Sequence, residues 1–214
     1  MEKQEIFKAL AELKKPENKK NFSQTYDLII TLQGLDVNTT PLDFFVNLPH
    51  MKKQVKIGAF VGQELSEQAD KFCDVVIKEN EFDQYKDNKK AVKQLAAKTD
   101  FFIGQANLMP KIAGAVGRIL GSRGKMPNPK MGGIVPPNAN LELLVKKFRT
   151  LVRLNAKKNL ALQCAVGSEN QPDEEVAENL LAVYTTVMKA LPQEKNNIKK
   201  VMLKLTMSKP VKVA

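Results

Sequence analysis

Val55-Lys56-Ile57-Gly58-Ala59-Phe60-Val61-Gly62 is the stretch on which the fold turns. It is short, apolar and closed by a glycine, so it reads as a buried strand. Behind it the pattern alternates. Leu65 to Phe72 has helical spacing, Asp74 to Ile77 is strand-like, and Asn88 to Lys98 is helical again. Asp100 to Ile103 reads as a strand, Leu108 to Leu120 as a helix despite its glycines, and Leu141 to Arg149 as a further helix. Strands and helices alternating at this length predict a parallel, doubly wound sheet. The acidic stretch 79–87, interleaved with Lys78 and Lys86, reads as a surface loop rather than a metal or glycosidase site.

The two ends of the chain look different from the middle and like each other. Glu2 to Lys15 is an amphipathic helix with Ile6, Leu10 and Leu13 on one stripe, ended by Pro16. Tyr26 to Leu32 and Phe44 to Leu48 read as strands, the second stopped by Pro49. Leu160 to Val166 is another. Asp173, Glu174 and Glu175 open a long helix to about Leu191, with acids suitably placed at its N-terminus. Val201 to Thr206 and Pro210 to Val213 close the chain as strands. The expectation is a discontinuous terminal domain, residues 1–52 and 152–214, with an α/β domain, residues 53–151, inserted in it. The crossings fall near Met51–Lys53 and Leu151–Arg153. Two short connections acting together form a hinge, so relative motion of the domains is expected.

Composition narrows the function. Hydrophobic residues make up 43% of the 214, enough for a packed core, and with no Trp that core is mostly aliphatic. The net charge of +11 points to a polyanionic partner. A membrane is disfavoured, because no apolar run approaches the roughly 20 residues that span a bilayer. The first residues mix Lys and Glu and lack a signal-type apolar core. Cys73 and Cys164, far apart and in apolar surroundings, read as reduced, buried cysteines of a cytosolic protein.

The charge is unevenly spread. Residues 101–168 carry eleven Lys/Arg against one acid, Glu142, a net +10. A solvated face of mixed sign suits Lys71 to Lys98 but not this block, whose self-repulsion a bound polyanion would relieve. A second basic element lies at the C-terminal end. In Lys200-Val-Met-Leu-Lys-Leu-Thr206, Val201, Leu203 and Leu205 share one parity, and Lys200, Met202, Lys204 and Thr206 the other. Period two gives a strand with one buried face and one basic face. That face suits a phosphate backbone, or else protects an edge strand from aggregation.

Catalytic motifs fare poorly. Gly114-Ala-Val-Gly-Arg-Ile-Leu-Gly-Ser-Arg-Gly-Lys125 invites a phosphate-loop reading. Yet Ile119 stands where the first Walker glycine is needed, and Met126 stands where the magnesium-binding hydroxyl is needed. There is no G-x-G-x-x-G. The single histidine, His50, has no Cys cluster to make a zinc site and suits a capping or hinge role better than general-base work. No catalytic residues, cofactor or metal are expected. The rival reading, a nucleotide-dependent α/β enzyme using the glycine-rich loop, lacks its Ser/Thr. The loop from Gly121 to Gly133, with Arg123, Lys125 and Lys130 for charge and Pro127 and Pro129 for stiffness, suits a phosphodiester surface or a rigid connection packed on its own domain.

The run Gly117-Arg-Ile-Leu-Gly-Ser-Arg-Gly-Lys-Met-Pro-Asn-Pro-Lys130 resembles the signature of the family of large-subunit ribosomal protein number one, the protein of the mobile side stalk. Asn21-Phe-Ser-Gln-Thr25, Leu48-Pro-His50 and Leu205-Thr-Met-Ser-Lys-Pro210 resemble further segments of that family, and the resemblance covers the whole chain, most similar to archaeal members. It implies an α/β plus α+β fold: a discontinuous terminal α+β domain of split β-α-β type with an inserted Rossmann-like three-layer α/β domain. It implies a ribosomal, cytoplasmic location, and binding to large-subunit ribosomal RNA, to the chain's own messenger RNA as a translational repressor, and to transfer RNA in the exit site. The free chain is expected to be a monomer.

Carried over residue by residue, the resemblance places the main RNA contact at Phe22, Thr25, Thr206, Met207 and Ser208, with Gln163 by a looser match. Lys20, Lys200, Lys204 and Lys209 add charge around them, and Arg118, Arg123, Lys125 and Lys130 form a secondary basic loop. The hydroxyls of Thr206 and Ser208 suit ribose 2′-OH contacts. Ser208 departs from the family, which often has glycine there; at positive φ a serine would be strained.

Overall fold

The computed structural model describes residues 3–35, 42–51, 55–156 and 159–213. They fall into two compact units: Met1–Lys53 with Thr150–Ala214, and Gln54–Arg149. The expected first crossing, Met51–Lys53, runs into residues 52–54, and the expected first helix begins at Glu2; both positions lie outside the described residues. The strands are β1 Thr25–Leu32, β2 Leu42–Asn47, β3 Ile57–Val61, β4 Val75–Lys78, β5 Phe101–Gln105, β6 Ile134–Val135, β7 Leu151–Ala156, β8 Ala161–Ser168, β9 Ile198–Leu205 and β10 Val211–Lys212. The helices are α1 Lys3–Leu13, α2 Gln63–Phe72, α3 Phe82–Asp87, α4 Lys89–Lys98, α5 Met109–Ser122, α6 Leu141–Thr150 and α7 Asp173–Ala190.

Period-two burial builds the terminal unit. Along β1, Tyr26, Leu28, Ile30 and Leu32 are buried while Thr25, Asp27, Ile29 and Thr31 are half-buried. The sheet runs β10-β9-β1-β8, antiparallel throughout, with Tyr26 opposite Leu205 on one side and Gly167 on the other. Ile6, Leu10 and Leu13 of α1 and Val176, Leu180, Val183 and Val187 of α7 share one core with the inward residues of the sheet. The opposite face keeps Lys200, Lys204, Gln163 and Thr31 accessible. A second, two-stranded ladder pairs β2 with β7, and Arg153 grips Asp43 across it with Nε–Oδ1 at 2.8 Å and Nη2–Oδ2 at 2.7 Å. Bidentate pairing of this kind fixes register as well as charge.

In the other unit, β3 pairs in parallel with both β4 and β5, and β5 with β6, giving the order β4-β3-β5-β6. Phe60 and Phe102 stack at 5.3 Å and join the core made with α3, α4 and α5. Phe101, of opposite parity, meets Phe148 of α6 edge-on at 5.8 Å. Helices thus cover both faces of a parallel sheet, the three-layer α/β arrangement.

Three local expectations are corrected. The stretch 79–87 is a 3-10 turn, Glu79–Glu81, followed by α3, because Phe82 is buried and meets Phe60 edge-on at 5.9 Å. Leu151–Arg153, read as a crossing, begins strand β7, whose Leu151, Val152 and Leu154 are buried. Ile134–Val135, missed in the sequence, is a short strand beside β5. Cys73 and Cys164 are free thiols, one in each unit; Cys164 is buried as expected, whereas Cys73, at the C-cap of α2, is only half-buried.

Candidate nucleic-acid interface

One end of the terminal sheet gathers most of the expected RNA-binding residues. The ladder sets Tyr26 opposite Leu205, so Thr25 and Thr206 meet at the strand ends, and Thr25 lies opposite Ser168 on the other side. The N–H of Thr25 donates to Thr206 Oγ1 at 3.1 Å. The turn from β9 to β10 carries Thr206, Met207 and Ser208, and the loop before β1 carries Lys20 and Phe22. Met207 is 65% exposed and Phe22 is 52% exposed. The exposed Phe22 and the exposed Met207 each have an exposed lysine two residues away in the chain, Lys20 and Lys209, so this end of the sheet presents both apolar and basic side chains.

Ser208 is unstrained. Among the described residues the only non-glycine with positive φ is Glu194. The Ser208 N–H donates to Leu205 O at 3.1 Å, and its Oγ accepts from the Leu205 N–H at 2.8 Å while donating to Lys209 O at 3.1 Å. The side chain closes the turn that a glycine would leave to the backbone. This revises the expected hydroxyl chemistry: Ser208 Oγ is engaged inside the turn. The Thr206 hydroxyl accepts from Thr25, but its internal acceptor, Thr25 O, is 3.5 Å away, which leaves its proton to donate outward.

The remaining candidates are spread out. Lys204 stands opposite Asp27, Met202 opposite Ile29, and Lys200 opposite Thr31, while Gln163 stands opposite Ile29 on β8. At about 3.4 Å per residue, Gln163 and Lys200 lie roughly 15–20 Å along the strands from the tip. They line the open face rather than the tip itself.

Sequence reasoning missed Gln24. It is fully buried. Its Nε2 donates to Asn18 O at 2.7 Å, and its Oε1 accepts from the Met207 N–H at 3.2 Å. Its own N–H donates to Glu169 Oε2 at 3.1 Å, and its O accepts from the Glu169 N–H at 2.8 Å. A signal was present: Gln24 continues the inward parity of Tyr26, Leu28 and Ile30, and a polar residue at an inward position needs partners. Ser23, whose Oγ lies 3.1 Å from that of Ser168, belongs to the same tip.

The lone histidine is a tie. The His50 N–H donates to Asn179 Oδ1 at 2.9 Å, and Asn179 Nδ2 donates to His50 O at 3.0 Å and Val166 O at 2.8 Å. The ring Nε2 sits 2.8 Å from Glu178 Oε2, and this hydrogen bond holds the Glu178 carboxyl below its ordinary pKa. These bonds fix the exit of β2 onto α7.

The basic loop divides into two groups. Lys125 Nζ donates to Ala96 O at 2.9 Å and Thr99 O at 2.6 Å, and Arg123 Nη1 donates to Lys93 O at 3.2 Å. Lys125 therefore satisfies carbonyls at the C-terminus of α4, where a helix leaves acceptors unpaired and favours positive charge, while the acceptor of Arg123 lies in the middle of that helix. Gly124 and Gly132, at φ 65° and 76°, turn the loop. Pro127 is buried against Gly104, where a Cβ would come within 3.2 Å of the proline ring. Arg118 and Lys130 remain exposed.

The place where a doubly wound sheet takes a ligand is partly occupied by the chain's own side chains. That crevice lies beyond the strand ends where the order reverses, here between β3 and β5. Gln105, at the end of β5, is buried there; its Oε1 accepts from the Gly62 N–H at 2.7 Å and its Nε2 donates to Glu64 Oε2 at 3.2 Å. Glu64 stands in the first turn of α2, so a carboxylate holds the helix end that would attract a phosphate.

Residues 13–209 match the Ribosomal protein L1p/L10e family. Large ribosomal subunit protein uL1 of Nanoarchaeum equitans is 40% identical over 200 residues, covering 91% of this chain and 93% of that protein. The proteins of the same name from Methanothermococcus thermolithotrophicus and Methanocaldococcus jannaschii are 36% and 35% identical over 216 residues, covering all of this chain and 99% and 96% of theirs. With the match spanning nearly the whole chain, this protein belongs to the ribosomal protein L1p/L10e family.

Proposed function

We propose that this chain is a structural component of the large ribosomal subunit that holds ribosomal RNA of the mobile side stalk through the tip of its terminal sheet. The observation that carries this reading is the pair of exposed apolar side chains, Phe22 and Met207, framed by Thr25, Thr206, Lys20 and Lys209. Folded RNA offers ribose hydroxyls, phosphates and unstacked bases rather than a readable major groove. An apolar spot packs on ribose or base, the Thr206 hydroxyl donates to a ribose, and the lysines meet phosphates. Lys200, Lys204 and Gln163 extend the contact along the open face. The same tip serves a mimic of the ribosomal site in the chain's own messenger RNA, so the free chain is a monomeric translational repressor. Arg118 and Lys130, left uncommitted by the fold of the loop, supply charge for transfer RNA leaving the exit site.

Filter binding of a stalk RNA fragment tests the assignment. Met207→Asp is expected to weaken binding about 100-fold, Thr206→Ala about tenfold, and Lys125→Met less than about threefold. Equal losses at all three positions would overturn the placement of the interface.

A further inference from the structure

We propose that Gln24 is the positioning residue of this RNA-binding tip: its buried amide sets the Met207 main chain against the loop that carries Lys20 and Phe22. The inference rests on the interface reading given above, and its test separates the two.

The geometry asks for a neutral amide. The Met207 N–H needs an acceptor and Asn18 O needs a donor, and the two ends of the Gln24 side chain meet them at 3.2 and 2.7 Å. The neighbouring groups of the turn have other partners: Thr206 Oγ1 is bonded to the Thr25 N–H, and the Ser208 N–H to Leu205 O. The Met207 side chain is mostly exposed, so its place depends on its backbone. Asn18 closes the 3-10 turn Pro16–Asn18, which leads into the segment bearing Lys20 and Phe22. Two reciprocal bonds between Gln24 and Glu169 tie in the start of the link from β8 to α7 as well. One fully buried residue thus joins three segments that are distant in the chain. It cannot touch RNA itself. Its contribution is preorganisation, which removes the ordering cost that a mobile turn would impose on binding.

The test uses the full chain, the stalk RNA fragment, and the variants Gln24→Met and Gln24→Glu, at a temperature where circular dichroism shows both folded. Gln24→Met keeps the volume and loses both side-chain bonds. It is expected to weaken binding about tenfold or more, the equivalent of a buried N–H left unpaired. The slope of affinity against salt should stay as in the wild type, because no phosphate contact is removed. The Met207 amide should exchange with solvent at least tenfold faster, by the same loss. Gln24→Glu keeps the acceptor for the Met207 N–H but sets a carboxylate against Asn18 O, so its binding should fall between wild type and Gln24→Met, and its Met207 amide should stay protected from exchange. Wild-type affinity in Gln24→Met, or equal losses in both variants, overturns the proposal while Met207→Asp remains defective. A Met207→Asp variant that binds normally instead overturns the interface reading on which it rests.

Discussion

Tyr26 sits directly behind the interface, opposite Leu205 and Gly167, and is fully buried. Its hydroxyl is shielded and finds no hydrogen-bond partner among the described residues. Burial, with the Asp173 and Glu169 carboxylates adding to it, raises its pKa from 10.0 to about 12. The sign follows from linkage. Between these values an unfolded chain loses the phenol proton and the folded chain keeps it, so stability falls as pH rises through the window and is untouched below it. Burial raises Cys73 from 9.0 to about 11, which adds a fall of the same sign starting lower. Melting curves from pH 8 to 11.5 should therefore drop less steeply for Tyr26→Phe than for wild type. At pH 7 the variant should be at least as stable, because a buried unpaired hydroxyl costs about 1–3 kcal/mol. A steeper alkaline fall in the variant would contradict this account.

At the scale of elements, the glycine-rich loop is better understood as the end of α4 than as a ligand loop. Lys125 takes two carbonyls at the C-terminal end of α4, those of Ala96 and of Thr99 at its C-cap, and Arg123 reaches Lys93 O farther back along the same helix. Lys125→Met should lower the free energy of urea unfolding by about 1–3 kcal/mol, in the range for losing hydrogen bonds from a charged donor. Stability unchanged by this substitution would show that the caps are not what the loop is for. Composition alone could not distinguish the two roles, because a cation donating to a carbonyl and a cation awaiting a phosphate are the same letter. Strand β7 shows a similar limit. Leu151 to Ala156 has apolar residues on both parities, and only its pairing with β2 and packing beside β8 makes it a strand rather than a linker.

Across the whole molecule the charge is divided more evenly than the sequence block suggests. The unit built from both termini has 18 basic and 13 acidic residues, a net +5, and the other has 16 and 10, a net +6. The +10 block of residues 101–168 straddles both, so it never marked one surface. The paired ladder of β2 and β7 puts Asn47 opposite Leu151, and the Leu48 N–H donates to Thr150 O at 2.9 Å. Replacing residues 54–149 by a short linker should therefore leave a chain that unfolds cooperatively, since the terminal core is its own. It should bind stalk RNA within about tenfold of the full chain and with a clear loss of affinity as salt rises. A folded variant without specific binding would move the interface to the other unit. The strands of period two, the alternating α/β pattern and the family signature at Gly117–Lys130 were legible in the amino-acid order alone, because periodicity and motif are local properties of the chain; the exposure of Phe22 was not, since a lone Phe reads equally as a core residue. That Ser208 closes its own turn, that Lys125 caps a helix and that Gln24 joins three segments came from the folded arrangement. The roles of Lys125 and Gln24 depend on backbone groups 26 and 183 positions away, which no local pattern records, and that of Ser208 depends on the φ its own turn adopts.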